Sequence, residues 1–142
     1  MKTPTLLIAL SLAFAATAAS AQPVGGAADA TARLQAAGYA DVRDLEFDDG
    51  LWEAEVRHAD GRWHDVALDP ATGELMDDRG DRALMTAGDV VARLEAAGFT
   101  EVRDLDLDDA VWEADARAID GRRIELRINA HSGRVISEEI DD

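Results

Sequence analysis

Carboxylates dominate the residues that could do chemistry in this chain, and their spacing first points to calcium. Asp44, Glu46, Asp48 and Glu55 fall at positions one, three, five and twelve of a calcium-loop pattern. Such a loop also needs glycine at position six and a helix on each side. Position six is Asp49 here, and Leu45 and Phe47 alternate with the acids as a half-buried strand should. The stretch therefore reads as strand, turn and strand. His58, His64 and His131 show no ligand spacing on a helix and have no cysteine beside them, so no metal is assigned. Beyond residue 21 the only serines are Ser132 and Ser137, neither in a nucleophile-elbow context. With no glycine-rich phosphate loop and no catalytic constellation, the chain reads as non-enzymatic and in need of no cofactor.

These residues occur twice. Residues 32–78 align with 92–138 at a constant offset of 60 without a gap, with 20 identities in 47 positions. ARLQAAGY returns as ARLEAAGF, and VRDLEFDDGLWEA as VRDLDLDDAVWEA. Two copies make a tandem duplication, with repeats at 29–78 and 86–142 and a linker at 79–85. Ahead of them lie Lys2, an apolar run over 6–19 and Ala19-Ser20-Ala21. That is a secretory signal over 1–21, cut after Ala21, followed by a loose leader at 22–28.

Each repeat opens with a helix. Thr86 and Asp89 form a capping-box pattern, and Val90, Val91, Leu94 and Ala97 make an apolar stripe at helical spacing. Gly98, then Phe99, ends it; Gly38 and Tyr39 do the same in the first copy. The remainder alternates as strands. A three-residue loop at Ala59-Asp60-Gly61 sets Val56 against His64, Ala54 against Val66 and Trp52 against Leu68, so inward residues meet inward partners. The preceding turn pairs Phe47 with Trp52 and Leu45 with Ala54. A two-residue turn at Asp49-Gly50 is disfavoured because the second copy has Ala110 there, so a four-residue loop is expected. DPATG at 69–73 and NAHSG at 129–133 turn into a short fourth strand at 74–76 and 134–136. The expected fold is α+β: two tandem units, each a helix on a three- to four-stranded antiparallel meander, with the helix over the tryptophan face. Units of about 50 residues bury little core and should pack together or share a sheet edge.

The same register aligns acids on the outer face. Asp44, Glu55 and Asp65 form one row, and Asp104, Asp115 and Glu125 the other. Like charges opposite one another destabilise a sheet. Three readings stand: splayed, solvated side chains screened by Arg57 or Arg127; a weak divalent-cation site; or a docking face for a cationic protein. Trp63 falls on this face as a partner for Arg57.

The formal net charge is −16, from 30 acids and 14 basic residues, and removal of Lys2 with the signal makes it one unit more negative. Such a chain repels nucleic acid and anionic lipid. Without cysteine it has neither a disulfide framework nor a lipidated cysteine anchor. No later segment is apolar enough to insert in a membrane, so the expected location is periplasmic or secreted.

Trp52-Glu53-Ala54-Glu55-Val56, Asp60-Gly61-Arg62 and Asp69-Pro70-Ala71-Thr72-Gly73-Glu74-Leu75 together resemble the PepSY domain. The second copy keeps Trp112-Glu113 and Asp120-Gly121 but reads Asn129-Ala130-His131-Ser132-Gly133 in the last motif, a weaker match. The resemblance implies small α+β modules of exported and membrane-associated bacterial proteins, protease propeptides among them. It implies a role in restraining peptidases and brings no catalytic set. The expected function is thus an exported binding module that inhibits or regulates a peptidase or another cationic protein, acting through its sheet edges, which can take up a peptide strand, or its acidic outer faces. The alternative is a periplasmic protein binding divalent cations, weakly calcium, on its acidic faces.

Overall fold

The computed structural model describes residues 22–141; the signal expected over 1–21 lies outside them. Two modules follow one another in the chain. The first comprises α1 (Ala27–Ala36), β1 (Val42–Asp48), β2 (Leu51–Arg57), β3 (Trp63–Leu68) and β4 (Leu75–Met76). The second comprises α2 (Ala87–Ala96), β5 (Thr100–Asp108), β6 (Val111–Arg117), β7 (Arg123–Asn129) and β8 (Val135–Ile140). Each sheet is a four-stranded antiparallel meander in chain order, and each helix precedes its sheet. This is the expected α+β duplication.

Local chemistry starts and stops the helices. The Thr86 hydroxyl accepts from Asp89 N–H, and the Asp89 carboxylate accepts from Thr86 N–H, closing a capping box. Both helices end alike: Tyr39 N–H reaches Leu34 O and Phe99 N–H reaches Leu94 O, each at 3.1 Å across a left-handed glycine. Ala30 and Leu34 pack on Ala54, Val56, Val66 and Leu68, with Trp52 half-buried alongside. Val90 and Leu94 pack on Trp112, Ala114, Leu126 and Ile128. The helices therefore cover the tryptophan faces.

The β2–β3 register is the expected one, with Val56 opposite His64, Ala54 opposite Val66 and Trp52 opposite Leu68. The β1–β2 turn is a correction. Asp48 pairs directly with Leu51, and Asp108 with Val111, leaving only two residues in each turn. All four turn residues have positive φ, including Ala110 at 68°. Twisted hairpins favour this geometry, and Ala110 tolerates it because its tertiary contacts oppose the strain. It is fully buried, and its carbonyl accepts from Ala130 N–H at 2.9 Å. The fourth strands also differ from each other: β4 has two residues, whereas β8 runs on to Ile140.

The modules meet through their outer faces. Leu51, Ala67 and Met76 point away from α1 yet are buried, in one cluster with Ala110 and Val111 of the second module. Asp69, wholly buried, is held by the Arg134 guanidinium of the other module. The segment at 79–85 is fixed at its end: Met85 N–H donates to Ala130 O at 2.7 Å, and Met85 O accepts from Trp112 Nε1 at 3.0 Å. The face expected to meet solvent is thus partly interior, because each sheet carries apolar side chains on both sides at this end.

Candidate functional site

In each of the two expected acid rows an arginine stands where the first acid was expected. In β1, Arg43 pairs with Glu55 and Glu46 with Glu53, so Asp44 and Leu45 together oppose Ala54. This bulge has Asp44 at φ 51° and puts Arg43 where Asp44 was expected. In β5, Arg103 likewise stands opposite Asp115, with Glu101 and Asp104 both at φ 50°. The rows are therefore Arg43, Glu55, Asp65 and Arg103, Asp115, Glu125. A bulge shifts the facing residue by one and converts a run of like charges into an ion pair. Arg43 bonds Glu55 and also lies 4.1 Å above the Trp63 ring, so Trp63 has Arg43 as its cationic partner besides its register neighbour Arg57. Arg103 bonds Asp115 at 3.3 Å. Glu125 lies between Asp115 and Glu139.

The outer faces part around a half-open cavity of about 410 Å³. The first module contributes Asp44, Glu46, Glu53, Glu55 and Asp65, and the second Asp108, Asp109 and Glu113. Arg127 is the one cation in the lining. Half of the sequence-derived site residues, Asp44, Glu55 and Asp65, come together here; Asp104, Asp115 and Glu125 lie outside this lining. The carboxylates missed at the sequence level were Glu46, Glu53, Asp108, Asp109 and Glu113. Glu53 and Glu113 did carry a signal, since Trp-Glu recurs in both copies, but strand alternation cannot say that two outer faces will oppose each other.

Arg127 lies between the modules. Its guanidinium is 2.8 Å from Asp49 Oδ2, 3.1 Å from Glu113 Oε1 and 3.7 Å from Glu53 Oε1. Burial pushes the Glu53 carboxyl above the usual range; Arg127 opposes this, while Asp48, Glu46 and Asp49 add to it. Burial also raises Asp109, reinforced by Asp108, Asp65 and Asp78. Partly desolvated carboxylates crowded in this way gain from a cation more than solvated ones do.

A second polar group lies inside the first module. His64 is buried on the core face as its register requires, with Nε2 3.4 Å from Asp77 Oδ1. Asp77 accepts from the Tyr39 hydroxyl, and the Tyr39 and His58 rings lie 5.9 and 5.4 Å from the His64 ring. Burial and Asp77 hold the Tyr39 hydroxyl protonated well beyond its usual range. The second copy has Phe99, Ala118, Ile124 and Ser137 in the matching places, so this group is a feature of one module. It contains no nucleophile beside a base. Among the described residues, no group of three or more His, Asp or Glu side chains has metal-holding geometry, and no helix is long and apolar enough to cross a membrane.

A family model described as peptidase propeptide and YPEB domain matches the chain twice, over residues 4–79 and 80–139. No curated protein and no solved structure matches.

Proposed function

Since the chain belongs to the peptidase propeptide and YPEB domain family, in two tandem segments, we propose that it is an exported regulator that restrains a peptidase by docking on a cationic face of it. The family is one of propeptide-like modules, generally non-catalytic. The finer reading rests on one observation, the cavity between the sheets with eight carboxylates and a single arginine in its lining. A partner with basic side chains relieves the repulsion among those carboxylates, and the net charge of −16 speeds its approach. Glu55 and Asp65 belong to this lining, and Asp115 and Glu125 carry acidic groups outside it.

The test is capture from an extract of the host's exported proteins, followed by assay of any recovered peptidase against increasing amounts of this chain. Saturable inhibition that weakens with salt and with Glu55→Lys or Asp65→Lys is the expected result. A recovered peptidase whose turnover is unchanged by the chain would contradict the proposal. If only the Asp115→Lys protein fails, docking lies on the second row rather than at the cavity.

A further inference from the structure

The third strands of the two modules differ in what lies along their outer edges. In the second module β8 pairs with β7 from Ile128 back to Ile124, which stands opposite Ile140. In the first, β4 pairs with β3 only at Leu68 and Ala67. The difference does not come from β3, which runs from Trp63 in unbroken register with β2. It comes from Asp77, where the second copy has Ser137. Asp77 N–H reaches His131 Nε2 at 3.5 Å, its carboxylate accepts from the Tyr39 hydroxyl, and its Oδ1 accepts from Arg79 N–H at 2.9 Å. The chain turns at residues 78 and 79 instead of following β3 further.

This leaves particular backbone groups unpaired. Along β3 the even-numbered residues exchange hydrogen bonds with β2, in phase with the 2.8 Å bond from His58 N–H to Arg62 O, and the odd-numbered ones point the other way. Asp69 N–H accordingly donates to Glu74 O, and in the second copy Asp141 N–H donates to Arg123 O. Trp63 and Asp65 are the counterparts of Arg123 and Glu125. Among the described residues, no other segment gives either of them a backbone hydrogen bond on that side. Unpaired edge groups of this kind are a template for another strand. The facing turn leaves room for one, since its counterpart at Gly50 sits against Ser137 with β8 in place. The cavity also reaches this edge, where Asp65, Val66 and Ala67 line it.

We propose that the β3 edge at Trp63 and Asp65 takes an extended basic segment of the partner as an added antiparallel strand, along the line that β8 follows in the second module. Main-chain hydrogen bonds hold such a strand, and side chains select it. Asp65 is exposed on this edge, so a lysine or arginine opposite it completes a cross-strand ion pair. A second copy of this chain would bring its own Asp65 to the same edge, with a net charge of −16 on each molecule, and is repelled. That the segment belongs to a peptidase rests on the docking function proposed above; the strand site itself does not.

The probe is a synthetic peptide of residues 134–141 carrying Glu138→Lys and Glu139→Lys, added to the full chain while amide hydrogen exchange is followed by NMR. Exchange at Trp63 and Asp65 should slow about tenfold at saturation. The same peptide N-methylated at residues 139 and 141 keeps its charge but loses the donors that face β3, and should protect neither. Asp65→Lys should reverse the preference, so that the unsubstituted acidic peptide protects Trp63 better than the lysine peptide. Asp65→Pro removes a donor at a place that an edge strand tolerates and should abolish protection at Trp63; Asp65→Lys carries the test alone should that variant not fold. No protection at Trp63 and Asp65, equal protection by the N-methylated peptide, or protection along β1 or β8 instead overturns the proposal. So does protection that grows with concentration of the chain alone, which would make a second copy the occupant. Protection without peptidase inhibition refutes only the docking function, and inhibition without protection at Trp63 and Asp65 refutes only the strand site.

Discussion

Asp69 is wholly buried, and the cation that compensates it comes from the other module. Burial raises its carboxyl, but the Arg134 guanidinium, the Ala71 N–H and the Thr72 hydroxyl together hold it below the ordinary range. Removing the cation strands a buried charge, so Arg134→Ala should cost about 3 kcal/mol in denaturant unfolding at pH 7. Asp69→Asn should cost less, because Arg134 reaches water and the second copy already uses Asn129 at that place; the reverse order would refute this account. Asp77 behaves similarly: burial raises it, and the Tyr39 hydroxyl, the Arg79 N–H and His64 pull it further down. A depressed folded value adds stability above the unfolded value of about 4, and that stability is lost as pH falls through the folded value. Tyr39→Phe, the change toward Phe99, should therefore cost about 2 kcal/mol at pH 7 and progressively less below pH 4, read as ΔG against pH.

At the scale of elements, the tight β1–β2 turn sets how closely the sheets approach. A methyl group on Gly50 would lie 2.8 Å from Ser137 Cβ of β8, at a φ of 83°. Gly61 has almost the same φ with nothing within 4 Å. Gly61→Ala should thus cost only backbone strain, roughly 1 kcal/mol. Gly50→Ala should cost about 2–4 kcal/mol, since the overpacked contact adds to that strain. Comparable melting shifts for the two would show that the turn is not a spacer between modules. The bulges in β1 and β5 act at the same scale, each bringing an arginine opposite a carboxylate that would otherwise face another acid.

For the whole molecule, two sets of carboxylates respond to pH in opposite senses. Asp69 and Asp77 lose stability as they are protonated. Glu53 and Asp109 have raised folded values, so their favourable contribution is present below the unfolded value and lost as pH rises through the folded one. Asp109→Asn should therefore stabilise the full chain at pH 7, by a margin that vanishes near pH 4. A destabilised Asp109→Asn at neutral pH would mean that this carboxylate is compensated within the fold.

Duplication, helix stops, strand faces and the β2–β3 register were all legible in the residues, because each depends on period and on near neighbours. Helical spacing of Val90 and Leu94, alternation through Ile124 and Leu126, and glycine at Gly38, Gly61 and Gly98 act within a few residues of where they stand. What residue order did not reveal was set by contacts between distant segments. Ala110 accepts positive φ because it is fully buried and its carbonyl is held by Ala130 N–H; Arg43 displaces Asp44 because a bulge pays for itself in cross-strand charge pairing. The cavity exists because two outer faces oppose each other with Arg127 on one side and Ala67 on the other. Alternation assigns a side chain to a face, but only packing decides whether that face meets water or another sheet, since the deciding energy lies in the apolar end formed by Leu51, Ala67 and Met76.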